Sequence, residues 1–285
     1  MIQDIFPLVM KNQYEKKVPA SNDRVLSFQE DRIFVREGER SDYLCYGELT
    51  DWCGVSGEPI PPAVYLFSLG ECAYFLADLP QAFVEKAQEN GFSYVRMFAM
   101  RRKKPKELVF AAATAWHLYV WYRDNRFCGR CGQRLLHSET LRMLSCPYCG
   151  NQVFPKIAPA VIVGVTNGES ILLTKYADRE YTRYALVAGF TEIGETAEET
   201  VRREVFEETG LLVSEPRYYG SQPWGFDLNL LLGYFCEVKE ASALRLDEEE
   251  LADAAWVHYS ELPRDEEGLS LTQRMIGAFR DSFRK

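Results

Sequence analysis

Four of the eight cysteines fall within 22 residues, as Cys128-Gly-Arg-Cys131 and Cys146-Pro-Tyr-Cys149, a CxxC–x14–CxxC spacing. Each pair can wrap two thiolates around one tetrahedral ion, and Zn²⁺ accepts four sulfurs at about 2.3 Å. Gly132 and Gly150 follow the second cysteine of each pair, where a tight knuckle favours positive φ. One redox CxxC would leave the other pair unexplained. A four-sulfur site keeps no position open for water, so the zinc it implies is structural, ordering a segment too short to bury its own core. The expectation is a zinc ribbon over 126–153 with Cys128, Cys131, Cys146 and Cys149 as ligands. Nucleic-acid binding by the ribbon is the lesser alternative, since Arg130, Arg134 and Arg142 are few basic residues for it.

The ribbon divides the chain. Its 285 residues suffice for about two domains. Residues 1–125 read as a mixed, strand-rich module: RIFVRE, AVYLFSLG and CAYFLADL are short, β-branched and aromatic, with Gly, Pro and Asp between them. No chemical motif stands out in the first hundred residues. Glu107 to about Asp124 is Ala-rich with helical spacing, so a helix leads into the cysteines, and His117 within it reads as a packed histidine without a partner ligand. From 154 to 285 the pattern is α+β. APAVIVGVTNGESILLTKYA reads as two strands joined by Asn167-Gly168, a pair suited to a type I′ turn. A helix over 196–209, a strand at about 230–238, the segment AAWVHYSELP and a terminal helix follow.

With 42 acidic against 33 basic residues the net charge is −9, which argues against a general nucleic-acid binder. An acidic protein acting on an anionic ligand needs an offsetting charge, and divalent cations supply it. The basic run Arg101-Arg102-Lys103-Lys104-Pro105-Lys106 breaks the trend and reads as a solvated loop before a helix. No apolar run reaches the roughly 20 residues of a membrane span. The N-terminal MIQDIFPLVMKNQYEKK lacks the pattern of a secretory signal, and clustered cysteines read as metal ligands. The expected address is the cytoplasm.

Residues 189–211 read GFTEIGETAEETVRREVFEETGL. Thr196 with Glu199 makes a capping box, Ala197, Val201 and Val205 form a buried stripe, and Gly210 sits where a left-handed residue ends a helix. Glu204, Glu207 and Glu208 lie at i, i+3 and i+4, on one face. Physical reasoning alone leaves two readings: a solvated acidic surface, or a site for hard cations such as Mg²⁺ or Mn²⁺ that would relieve the repulsion. Glu195 stands at the loop-to-helix junction, and Arg203 is placed to pair with a carboxylate.

Gly189, Glu195, Arg203, Glu204, Val205, Glu207, Glu208, Gly210 and Leu211 match the Nudix box Gx5Ex7REUxEExGU at every required position. The chain is therefore identified as similar to Nudix hydrolases. The resemblance implies an α/β/α Nudix sandwich of the α+β class beside the small zinc ribbon and an N-terminal mixed α/β domain. It also implies hydrolysis of a nucleoside diphosphate linked to another group. Glu204, Glu207 and Glu208 would then hold Mg²⁺ or Mn²⁺, with Glu195 and Arg203 in the catalytic set.

NRFCGRCG, FPKIAPAVIV, AGF and SQPWGF resemble the NADH pyrophosphatase branch, over about 115–285. The branch implies cleavage of NADH or NAD⁺ to AMP and nicotinamide mononucleotide, with NAD-capped RNA as a related substrate, and a homodimer. ADP-ribose or FAD is the alternative substrate class. The branch carries SQPWPFPxS; here Ser221, Gln222, Pro223, Trp224 and Phe226 are kept, while Gly225, Asp227 and Asn229 replace two prolines and the serine. By resemblance Phe154, Phe190, Ser221, Gln222, Pro223, Trp224, Gly225, Phe226 and Thr272 line the substrate site. Glu250 aligns with a further metal-binding carboxylate, in a register that adjacent Glu248 and Glu249 could shift. The branch's acidic residue before the third zinc cysteine finds its nearest counterpart here in Glu139.

Overall fold

The structure is a computed structural model that describes residues 1–177, 184–239, 244–247, 250–262, 264 and 268–284. The chain forms two compact units: one of Gln3–Lys156 with Gly225–Leu228, the other of Met1–Ile2, Ile157–Trp224 and Asn229–Lys285.

In the first unit, five short strands form one sheet and Phe28–Gln29, Arg32–Arg36 and Phe92–Arg96 an antiparallel second. Val25, Phe34, Leu44, Leu49, Phe83 and Phe92 share its core. Helix α1 (Lys106–Asp124) buries Leu108, Val109, Phe110 and a run of alanines, whose small side chains let other backbone come close. Gly225 uses this: a Cβ there would lie 2.1 Å from the Ala113 carbonyl oxygen. His117, half-buried in α1, bonds the Lys156 carbonyl through Nε2 at 2.8 Å, a structural role. The ribbon's three strands, Leu136–His137, Leu144–Ser145 and Gln152–Val153, pair antiparallel.

The basic run is less free than the sequence suggests. Arg101 faces Asp227 at 3.8 Å and lies over the Phe98 and Phe226 rings, and Lys103 bonds Glu37 at 2.5 Å. The expectation of a solvated loop fails at these two positions because the compensating carboxylates are remote in sequence.

The second unit is a six-stranded mixed sheet. Strand β1 (Ala158–Asn167) pairs antiparallel with β2 (Ser170–Tyr176) and β3 (Val187–Phe190), while β4 (Arg217–Trp224), β5 (Asn229–Glu237) and β6 (Leu251–His258) complete the order β4-β5-β1-β2-β6. β1 and β5 run parallel, with Val161 opposite Leu232 and Val163 opposite Tyr234. β1 is apolar almost throughout, as a strand buried on both faces must be. On one face Val161, Val163 and Val165 pack with Val201 and Val205 of helix α2 (Ala197–Thr209). Helix α3 (Leu271–Ser282) packs on the same sheet, where a Cβ on Gly233 would meet Met275 Sδ at 2.7 Å and Leu271 Cδ2 at 3.2 Å. Sheet between helices is the sandwich expected.

One turn differs from expectation. Asn167 pairs with Ser170, so the two-residue loop is Gly168-Glu169, with Gly168 at φ 55°. Among the described residues Glu169 does not have positive φ. Glycine at the first loop position with one positive φ is the type II′ pattern, whereas type I′ needs two. The strand register wins over the local Asn-Gly signal because it keeps Val161, Val163 and Val165 on one face.

Helix α2 begins as read: the Glu199 N–H donates to Thr196 Oγ1 at 3.2 Å and the Thr196 N–H to Glu199 Oε2 at 2.7 Å. Thr196→Ala removes the cap and should cost about 1 kcal/mol, measured as a lower urea midpoint at unchanged slope; an unmoved midpoint would show the cap to be idle.

Candidate active site and zinc centre

The four sulfurs of Cys128, Cys131, Cys146 and Cys149 lie within 4.8 Å of one another, with Cys128–Cys149 at 3.6 Å and Cys131–Cys146 at 3.4 Å. Tetrahedral zinc with bonds of about 2.3 Å puts its sulfurs about 3.8 Å apart, so the set fits the ion. Both knuckles have the same build. The Gly132 N–H donates to Cys128 O at 2.8 Å and the Gly150 N–H to Cys146 O at 3.0 Å, with φ at 74° and 71°. Burial opposes the Cys128 thiolate, but N–H donation from Arg130 and Cys131 brings its pKa down to about 6. Cys131, despite donation from the Gln133 backbone, is pushed up to about 12 by burial and by the sulfurs around it. Four thiols this close do not all ionise without a cation. His137 is no ligand: its Nε2 meets Tyr122 Oη at 2.8 Å and its Nδ1 the Ser138 carbonyl at 2.6 Å. Glu139 pairs with Lys16, and Arg142 bonds the Asn12 and Leu66 carbonyls.

In the second unit α2 places Glu204, Glu207 and Glu208 on one face, as its spacing requires. Glu204 is 8% exposed and Glu208 2%. Gly189 on β3 makes room for the first: a Cβ there would lie 2.0 Å from Glu204 Cδ. The first glycine of the box is thus a steric requirement.

Arg203 organises the carboxylates. Its Nε and Nη2 grip Glu195 bidentately at 2.6 and 2.9 Å, and Nη1 reaches Glu204 at 2.7 Å and Glu207 at 3.0 Å. Nη2 also donates to the Phe190 carbonyl at 2.9 Å. Glu195 accepts further bonds from the Glu192 N–H and the Thr200 hydroxyl, each at 3.0 Å. The Arg203 bond, aided by that backbone donor, holds the Glu195 pKa down at about 2. Burial pushes Glu204 up, against the pull of Arg203 and with help from the charges of Glu207 and Glu250.

Glu250 is therefore near Glu204. Backbone bonds place it there: Arg245 N–H to Thr209 O, Asp247 N–H to Glu208 O, and Ala177 N–H to Glu250 O, at 3.0, 3.1 and 2.9 Å. Glu248 and Glu249 lie outside the described residues. Among the described residues the cysteine cluster is the one set of three or more potential ligands at mutual ligand distance. The glutamates are not gathered so tightly, because the Arg203 guanidinium stands among them. The donor set is hard oxygen, suited to Mg²⁺ or Mn²⁺.

Gln222 is fully buried on β4. Its Nε2 donates to Leu269 O and its Oε1 accepts from the Leu271 N–H, both at 2.7 Å. The side-chain amide ties β4 to the start of α3. Ser221 and Thr272 are half-buried, Pro223 is exposed and Trp224 buried. Phe190 is 54% exposed on β3, a ring face open to a planar group. Phe154, 51% exposed, belongs to the first unit, as do Gly225 and Phe226. Sequence reasoning missed the Arg101–Asp227 pair, for which no local signal exists across so long a separation.

The NUDIX domain family model matches residues 156–275, and the NADH pyrophosphatase zinc ribbon domain model residues 123–154. The chain is 36% identical over 247 residues to the NAD-capped RNA hydrolase NudC of Photorhabdus laumondii, covering 87% of this chain and 89% of that protein. It is 38% identical over 159 residues to the protein of that name from Pectobacterium carotovorum, covering 56% of this chain and 61% of the relative. A solved NUDIX hydrolase from Nitrosomonas europaea shares 20% identity at TM-score 0.48, over 55% of this chain and 92% of that one, a likeness that carries no argument.

Two variants test the geometry. Gly189→Ala displaces Glu204 and should cut metal-dependent turnover by about 10²-fold while far-UV dichroism is unchanged. Arg203→Lys loses the bidentate grip on Glu195 and should cost a similar factor. Full turnover in either would disprove the role given to that contact.

Proposed function

Because the chain belongs to the Nudix family, we propose that it is a divalent-metal-dependent diphosphatase that cleaves NADH or NAD⁺ to nicotinamide mononucleotide and AMP. NAD-capped RNA, which presents the same scissile bond, is the related substrate. The reading rests most on one observation: Glu204 seated against Gly189 and bonded to Arg203, with Glu207, Glu208 and Glu250 nearby. The similarity to NAD-capped RNA hydrolases over most of the chain supports the choice of substrate.

In this reading Glu204, Glu207, Glu208 and Glu250 hold Mg²⁺ or Mn²⁺. Held there, such cations would supply charge neutralisation at the phosphate oxygens and would acidify water for attack. Arg203 ties the loop carboxylate Glu195 to the end of β3 at Phe190, whose exposed ring stacks on a base. Phe154, Ser221, Pro223, Trp224, Gly225, Phe226 and Thr272 complete the substrate set, and the four cysteines hold structural zinc. Asp227, a negative charge in the altered motif, faces Arg101 at 3.8 Å, so the departure from the motif adds no uncompensated negative charge against an anionic substrate. None of the eight cysteines is joined in a disulfide, which suits a reducing compartment, so we place the protein in the cytoplasm; the resemblance to the NADH pyrophosphatase branch implies a homodimer. Among the described residues no helix is long and apolar enough to cross a membrane.

Purified protein should release AMP fastest from NADH or NAD⁺ when these are compared with ADP-ribose, FAD and diadenosine polyphosphates, each with Mg²⁺ or Mn²⁺. Glu207→Gln should lower the rate by at least about 10²-fold. Faster cleavage of ADP-ribose or FAD would transfer the assignment to that class, and turnover undiminished in Glu207→Gln would exclude the metal role of the box.

A further inference from the structure

The ribbon holds more at its surface than a structural zinc requires. Residues 126–153 carry Arg126, Arg130, Arg134 and Arg142 against Glu139 alone, in a chain of net charge −9. Arg142 is occupied by backbone carbonyls and Glu139 by Lys16, which leaves three exposed arginines at 126, 130 and 134. Among the described residues none of the three has a carboxylate within ion-pair distance, whereas Arg24, Arg36, Arg96, Arg123 and Arg202 each do. Two aromatic rings are exposed on the same ribbon, Phe127 at 65% and Tyr148 at 79%.

These groups are fixed relative to one another. Phe127 and Arg134 form an antiparallel bridge, so their side chains stand on one face about 5 Å apart at Cβ. Arg130 and Tyr148 occupy the tips of the two knuckles, bound to one four-sulfur centre. The negative charge of a tetrathiolate is met at short range by the Arg130 N–H and Asn151 Nδ2, both donating to Cys128 Sγ. The guanidinium groups stay at the surface. Exposed rings and arginines gathered on one small ribbon are what a flexible polyanion bearing stackable bases recognises, and an acidic protein partner supplies no such bases.

We propose that the ribbon surface around the Phe127–Arg134 pair, with exposed Arg126, Arg130 and Tyr148 on the same small ribbon, binds single-stranded RNA, the arginines holding phosphates and the rings stacking bases. It deepens the reading above by giving the RNA of a capped substrate a place on the ribbon. Binding of uncapped RNA does not depend on that reading.

The test titrates full-length, zinc-loaded protein with a fluorescent, uncapped single-stranded ribo-oligonucleotide, by anisotropy across a salt series. It compares wild type with Arg126→Gln/Arg130→Gln/Arg134→Gln and, separately, Tyr148→Ser. The triple variant should bind about tenfold more weakly at about 0.1 M salt, with a log–log salt slope shallower by about 2, from about 0.7 per phosphate contact. Tyr148→Ser should weaken binding at unchanged slope. Zinc content and kcat/KM on NADH should stay within about twofold of wild type, since neither change touches the glutamates. Wild type failing to bind, or a triple variant binding with unaltered affinity and slope, overturns the proposal. RNA binding by a wild type that hydrolyses no dinucleotide would uphold the surface and overturn the function proposed above.

Discussion

One guanidinium holds the catalytic region in its form. Arg203 makes five hydrogen bonds, to Glu195, Glu204, Glu207 and the carbonyl of Phe190, and each end of that set is itself anchored. Glu195 in the loop and Glu204 and Glu207 on the helix would otherwise repel, and a planar fork with donors along two edges is the side chain that can bridge them. The loop between β3 and α2 takes its shape from the same bonds. The helix, its cap and the sheet beneath it place Arg203, so the sandwich and the site are one construction.

The zinc centre contrasts with it in every respect. Its ligands are soft, its coordination is closed, and its order comes from backbone N–H groups aimed at sulfur and at the carbonyls of Cys128 and Cys146. A metal there stabilises a fold, whereas cations at the glutamates would meet an open set of hard oxygens, already partly neutralised by an internal cation. The two sites differ in ligand type, four soft sulfurs against hard carboxylate oxygens.

Much of this was legible in the residues, because it is local. A capping box, a stripe at intervals of four and a terminal glycine are written within one helix, and paired CxxC knuckles within one ribbon. The β1–β2 turn was misread because a dipeptide signal competed with the facing of a long strand, and facing is a property of the whole sheet. The motif around Gln222 reads as a unit; the inward orientation of that side chain follows from β4 lying on β5 with α3 beyond, which no short segment encodes. The partner of Arg101 was invisible for the same reason, lying more than a hundred residues away in the chain.

Gly225 and Asp227 are the positions where this chain departs from the motif it otherwise keeps, and both are answered by residues near α1. The backbone of 225 sits against the Ala113 carbonyl with no room for a Cβ, and the charge at 227 faces Arg101. A proline at 225 would bring a Cβ into that carbonyl, and a proline at 227 would remove the carboxylate that faces Arg101. The residue at 225 is therefore fixed by the backbone of α1 rather than by the loop itself, so the loop cannot be changed there without moving the helix it meets.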